Sequence, residues 1–182
     1  AGVALLLAAC GRDDRGWSLF DGHSLAGWSG DPRLWRVEAG ELVGSTDGVT
    51  PLTQNSFLAH ERSLGDFSLR LQWKLRNHNS GIQFRSETLP DFVARGYQAD
   101  LADAKGATLG ILYEERGRGF LGAMTIPGVY DHVDLADWND YEVRAVGHHV
   151  TLTINGFATV DLDDPGGAGV GFGNHAFDFF DL

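Results

Sequence analysis

The sequence predicts an all-β protein built as an antiparallel sandwich, and three observations carry that prediction. Phe67 to Arg76 alternates without a break. Phe67, Leu69, Leu71, Trp73 and Leu75 fall on one face and Ser68, Arg70, Gln72, Lys74 and Arg76 on the other, a period of two that a helix would scramble. Asn155-Gly156 sits between two shorter runs, 150–154 and 157–162, the strongest short-range hairpin signal. Glycine makes up 25 of the 182 residues, about twice the ~7% of ordinary chains, as a fold of many tight turns requires. Past the first ten residues no window shows a helical period.

The elements follow in chain order. Ala1 to Ala9 is an apolar run ending at Cys10, too short to cross a bilayer. Leu7-Ala8-Ala9-Cys10 resembles the lipobox of a bacterial lipoprotein signal peptide. The resemblance implies cleavage before Cys10, lipid attachment at Cys10, and a place on the periplasmic side of the cell envelope. Gly11 after the cysteine carries no acidic retention signal, which favours the outer membrane. Residues 1–16 then read as signal remnant and polar tether, and residues 17–182 as the folded domain. The competing reading is an apolar N-terminal strand with a buried cysteine. Cys10 is the single cysteine, so no internal disulfide forms. Trp35 to Val43 predicts a short hairpin turning at Glu38-Ala39-Gly40-Glu41. Trp138 to Val146 predicts a strand with Tyr141, Val143 and Ala145 on one face. No repeat of propeller or solenoid length is evident.

Composition sets the outer limits. Apolar residues make up 43% of the chain, enough for one real core. The formal charge of −11 and pI near 4.9 repel phosphate backbones, so nucleic acid is not an expected partner. P-loops, dinucleotide fingerprints and serine-based triads are missing. His148 and His149 are neighbours and point to opposite faces of a strand. Asp161, Asp163 and Asp164 lack calcium-loop spacing. No metal site or cofactor is therefore expected, although an oxygen-rich groove leaves room for a divalent cation.

Three central segments carry side chains able to do chemistry: Asn79 to Arg85, Gly96 to Leu101, and Leu112 to Gly119. Gln83 and Arg85 share one face by spacing, with Ile82 and Phe84 beneath them. Gln98 and Asp100 share another, with Tyr97, Ala99 and Leu101 turned away. If the strands are neighbours, two amides, a guanidinium and a carboxylate line one hollow, a set suited to a hydroxyl-rich ligand. Arg85 beside Asp100 would hold that carboxylate ionised or polarise a carbonyl. The bland alternative is a surface ion pair worth ~0–1 kcal/mol. Glu114, Glu115, Arg116 and Arg118 form a charge run broken by Gly117 and Gly119, so it bends, and only one of the two glutamates can face the hollow.

Leu19-Phe20-Asp21-Gly22 with Leu25 and Gly27-Trp28 resembles the opening of the 3-keto-disaccharide hydrolase domain family. The likeness continues through Trp35, Gly40, Leu42-Val43-Gly44 and Asp66-Phe67, then through the Asn79–Arg85, Gly96–Asp100 and Leu112–Glu115 blocks, Trp138–Glu142 and Asn155-Gly156. It implies a concanavalin-A-like jelly roll with a concave carbohydrate face. The C-terminus departs from the family pattern: Gly171-Phe172-Gly173-Asn174-His175 keeps a histidine but has Gly173 in place of glutamine, and no Arg-Asn pair follows.

The resemblance implies glycosides already oxidised at C3. A 3-ketone acidifies the proton at C2; a base removes it, and the enolate expels the aglycone from C1. The candidates are Asp100 or Glu115 as base, Arg85 with Gln83 on the enolate oxygen, and His175 as a further acid or base. Gln98, Tyr97, Tyr113, Glu114 and Arg118 would bind substrate. The alternative is a non-catalytic carbohydrate-binding module in which Trp28, Tyr97 or Tyr113 stacks on sugar faces. Either way the expected partner is a carbohydrate, with membrane contact only through the lipid. An endoglucanase of this fold would carry Glu-x-Asp-x-x-Glu on one strand, which is absent.

Overall fold

The computed structural model describes residues 5–8, 18–50, 52–76, 79–103, 107–167 and 174–179, the first and last of these as backbone only. Among them no α-helix occurs, and fourteen strands form two antiparallel sheets. They are β1 Leu5–Ala8, β2 Trp28–Ser29, β3 Trp35–Glu38, β4 Glu41–Gly44, β5 Ser56–Ser63, β6 Phe67–Leu75 and β7 Asn79–Leu89. There follow β8 Val93–Ala102, β9 Leu112–Glu115, β10 Gly119–Leu121, β11 Asn139–Val146, β12 His149–Ile154, β13 Phe157–Asp163 and β14 Asn174–Phe179. The first sheet runs β13-β12-β11-β6-β1-β4-β3 and the second β10-β9-β8-β7-β14-β5-β2.

The expected hairpins form where their turns allow. β3 and β4 pair antiparallel with Glu38 opposite Glu41. β12 and β13 close at Asn155-Gly156, both at positive φ, as a two-residue hairpin turn requires. β6 pairs with β11 from Phe67–Ala145 to Trp73–Asn139. Their apolar faces meet the second sheet in one core: Leu71, Trp73, Leu75, Tyr141 and Val143 pack with Ile82, Phe84, Ala99, Leu101 and Leu112. Sheets stacked about 10 Å apart interdigitate in this way.

The segment Leu5–Ala8 lies as a strand between β4 and β6. Cys10, and the tether with it, lies outside the described residues. β5 and β10 were not marked by the sequence. β5 is buried for four residues, Ser56 and the apolar Phe57, Leu58 and Ala59, and then turns polar and charged, so its alternation is hidden by burial of both faces at one end.

Trp73 is fully buried, and its indole nitrogen has no hydrogen-bond partner among the described residues. Trp73→Ala should lower stability by about 3–5 kcal/mol in urea denaturation. Trp73→Phe, which removes the unpartnered N–H with less volume, should cost clearly less.

Candidate functional site

The second sheet presents one face to the core and the other outward, and the outward face is where the polar residues gather. β7 and β8 pair with Gln83 opposite Gln98 and Gly81 opposite Asp100. β9 follows with Tyr113 opposite Gln98 and Glu115 opposite Gly96. Gln83, Gln98, Asp100, Tyr113 and Glu115 therefore share one side. On the same face, Phe57, Ala59 and Ala94 form a small apolar floor apart from the main core.

This face is a trough. Asn55 precedes β5 and Glu115 ends β9, four strand spacings away. A flat sheet at about 4.8 Å per strand would hold them roughly 19 Å apart. Instead Asn55 Nδ2 donates to Glu115 Oε1 at 3.2 Å. The closure accounts for the burial of outward-facing side chains: Gln83 is 0% exposed, Gln98 1% and Asp100 5%.

Asp100 is the chemical centre. Gln98 Nε2 donates to its Oδ1 at 2.5 Å and Asn79 Nδ2 to its Oδ2 at 3.3 Å, and Thr108 also hydrogen-bonds to it. Gly81 makes the first of these bonds feasible. A Cβ on Gly81 would lie 2.5 Å from Gln98 Cγ, so the amide can fold over residue 81 towards the carboxylate only if that residue is glycine. Burial nevertheless dominates and pushes Asp100 up to about 6 from 3.8, with the Glu115 charge adding to the rise. Burial raises Glu115 as well, against the bond from Asn55. Both Gln83 side-chain polar atoms are buried with no partner among the described residues, an unspent donor and acceptor in the same trough.

Several expected residues go elsewhere. Arg85 does not join Asp100. The register shifts between Phe84 and Glu87 and Arg85 takes φ +48, a bulge that re-aims the side chain. Its Nη1 donates to the Gly147 carbonyl at 2.5 Å and its Nη2 to Asp66 at 3.3 Å. The guanidinium thus ties β7 to the loops of the first sheet and leaves the expected enolate role unfilled by this residue. Tyr97, Glu114 and Arg118 lie on the opposite side of the second sheet. Arg118 bridges Glu114 and Asp164, and the Tyr97 hydroxyl donates to Asp164 at 2.7 Å. That closed ionic cluster seals the sandwich edge. Trp28 is 9% and Tyr97 2% exposed, so neither offers a stacking face. His175 has its backbone opposite His60; its side chain lies outside the described residues. Asn55, Asn79, Gly81 and Thr108 were not read as site residues. Asn79 and Gly81 carried a signal, since they sit at period two from Gln83; Asn55 and Thr108 lie in connections.

Among the described residues no group of three or more His, Cys, Asp or Glu is placed to hold a metal ion.

Fold and site together define a concanavalin-A-like jelly roll with a polar trough on one sheet. The chain belongs to the 3-keto-alpha-glucoside-1,2-lyase-like domain family, whose model matches residues 16–172. No curated protein matches the chain. Among solved structures it is similar to a proposed glycosyl hydrolase from Parabacteroides distasonis, at 20% identity and TM-score 0.62, covering 89% of this chain and 86% of that one. It is also similar to the carbohydrate-binding module CBM66 from Bacillus subtilis, at 17% identity and TM-score 0.64, covering 85% and 88%. At these identities the likeness is one of fold.

A buried carboxylate with a raised pKa destabilises the folded state wherever it is ionised. Folding takes up a proton on Asp100 between pH 3.8 and about 6, so stability falls as pH rises through that window. Above it the cost approaches about 3 kcal/mol. Asp100→Asn should therefore melt higher than the parent at about pH 8, with the gap closing as pH falls towards about 4. A gap independent of pH would assign the gain to packing.

Proposed function

We propose that the domain cleaves 3-keto-glycosides by removing the C2 proton and expelling the C1 aglycone. The observation that carries this reading is Asp100: a buried carboxylate poised at about 6, oriented by side-chain donors, with an unspent amide on the neighbouring strand. A base with a pKa just below neutral is ionised at pH 7 yet as basic as that allows.

The steps follow from the side chains. The Asp100 carboxylate takes the C2 proton, and the C2–H electron pair moves into the C3 carbonyl to give an enolate. Gln83 stands diagonal to Asp100 across the β7–β8 pair, roughly 7–8 Å away at the backbone, and a ring edge enters between them as the Gln98 amide swings aside. Its Nε2 donates to the enolate oxygen as charge builds there. The enolate then re-forms the ketone, a C1=C2 double bond forms, and the C1–O bond breaks with its pair on the aglycone oxygen. Glu115, on the same face of the sheet and with its proton affinity raised by burial, is the group that hands that oxygen a proton. Asp100 serves as base and Glu115 as acid by their places in the trough, and no pair of carboxylates flanking a simple glycosidic bond is required. Water adding to C1 of the enone would complete a hydrolysis.

The fold shared with a carbohydrate-binding module supports one competing reading, a trough that holds glycans without chemistry. Turnover separates the two. With a nitrophenyl 3-keto-glucoside, kcat/KM should rise as pH passes about 6, and Asp100→Asn should lose about 10²–10⁴-fold. Unchanged turnover in that variant removes Asp100 from the mechanism; retention of plain glycans with no keto-sugar cleavage favours the binding module.

We also propose that Cys10 is the lipid attachment point of a lipoprotein of the bacterial envelope. The support is the Leu7-Ala8-Ala9-Cys10 sequence. Processing there would remove Leu5–Ala8 and with it β1, so the two readings of the run exclude each other in the mature protein. Mass spectrometry of membrane-extracted protein should find a diacylated cysteine at the N-terminus, lost in Cys10→Ala. An unmodified chain retaining residues 5–8 would favour the strand.

A further inference from the structure

The trough contains a straight row of four side chains. Gln83 on β7 stands opposite Gln98 on β8, Gln98 opposite Tyr113 on β9, and Tyr113 opposite Phe120 on β10. Directly opposed residues share a face. Exposure along the row climbs from 0% at Gln83 and 1% at Gln98, through a half-buried Tyr113, to 42% at Phe120. Chemistry changes with it: two amides at the deep end, two aromatic rings at the shallow end. The rings meet edge to face with centroids 5.3 Å apart, a geometry that fixes both.

A ligand lying along this row meets hydrogen-bonding groups at one end and bare ring surface at the other. From Gln98 to Phe120 is two strand spacings, about 10 Å, the distance to the next ring beyond the one held at Asp100. Around Phe120 the chain supplies Gly119, Leu121, Gly122, Ala123 and Met124, with Met124 exposed, so the side-chain polar groups nearest on this face are those of β9, the Tyr113 hydroxyl and Glu115. A second sugar placed there would stack on Phe120 with few side-chain partners for its several hydroxyls, those on β9 alone. A flat apolar group would need none.

We propose that Tyr113 and Phe120 form an aglycone platform and that the substrates are aryl glycosides, with the sugar ring at Gln83, Gln98 and Asp100 and the aromatic leaving group on the two rings. This assignment rests on the reading of the trough as a keto-glycoside site. Phe120 sits on a sheet edge and is itself exposed, outside the set of side chains that build the main core, so Phe120→Ala should fold normally.

The test compares wild type and Phe120→Ala on three substrates: a nitrophenyl 3-keto-glucoside, the methyl 3-keto-glucoside, and a 3-keto-disaccharide. Taking the mutant-to-parent ratio for each substrate cancels leaving-group reactivity. The nitrophenyl substrate should lose about tenfold in kcat/KM, mostly through KM, while the methyl substrate stays within about twofold. Equal losses on the nitrophenyl and methyl substrates, or no loss on either, would overturn the platform. A disaccharide that loses as much as the nitrophenyl substrate would overturn the aryl assignment and make this a sugar subsite. If wild type turns over none of the three, the keto-glycoside reading fails by itself. Calorimetry with nitrophenyl and methyl glucosides then decides the platform: tighter nitrophenyl binding, lost in Phe120→Ala, sustains it, and equal binding of the two ends it.

Discussion

The hydrogen bond from Gln98 to Asp100 across Gly81 is the contact on which the site depends. It requires a residue without a Cβ at position 81, two strands in register, and an outward face closed off from water. Each condition comes from a different level of structure. The glycine is local sequence, the register follows from the apolar alternation of β7 and β8, and the closure follows from curling of the second sheet until Asn55 meets Glu115. Loss of the closure would return the carboxylate towards an ordinary surface group, whereas loss of the Gln98 bond alone would raise its proton affinity further, because that bond opposes the effect of burial. Together they hold a charge in a place where an ionised group is costly, and such stored cost is characteristic of sites that move protons.

The two faces of the second sheet do different work with similar residue types. Outward, carboxylates are held by neutral amides and a hydroxyl, so burial wins and their proton affinity rises. Across the sheet, Glu114 and Asp164 share the Arg118 guanidinium, and Asp164 is held below the usual carboxylate range by it. The partner decides the role. A carboxylate paired to arginine is a fastener, whereas one paired to amides is available for chemistry.

Much of this was legible in the sequence, for a physical reason. Period-two alternation reports which side of a strand faces the core, so the shared face of Gln98 and Asp100, and the opposite placement of Tyr97, followed directly. Asn155-Gly156 fixed a hairpin because few residues tolerate positive φ in succession. Arg85 was misplaced by the same logic. Its spacing from Gln83 is right for a regular strand, but a bulge carried by one residue at positive φ breaks the parity, and nothing in the composition of Phe84-Arg85-Ser86 announces it. Likewise Glu114 and Glu115 are indistinguishable as letters; only the pairing of Glu114 with Tyr97 and of Glu115 with Gly96 separates them. Asn55 was invisible because its role depends on curvature, a property of the whole sheet.

The central claim is that Asp100 takes a proton from the carbon next to a ring ketone. The most direct measurement is hydrogen exchange at C2 of a 3-keto-1,5-anhydro-sugar, which has the acidic proton but no leaving group. In D₂O, proton NMR should show the C2 signal vanish with the wild-type protein and persist with Asp100→Asn. Persistence of the C2 proton with the wild-type protein, while the sugar is demonstrably bound, would contradict the account.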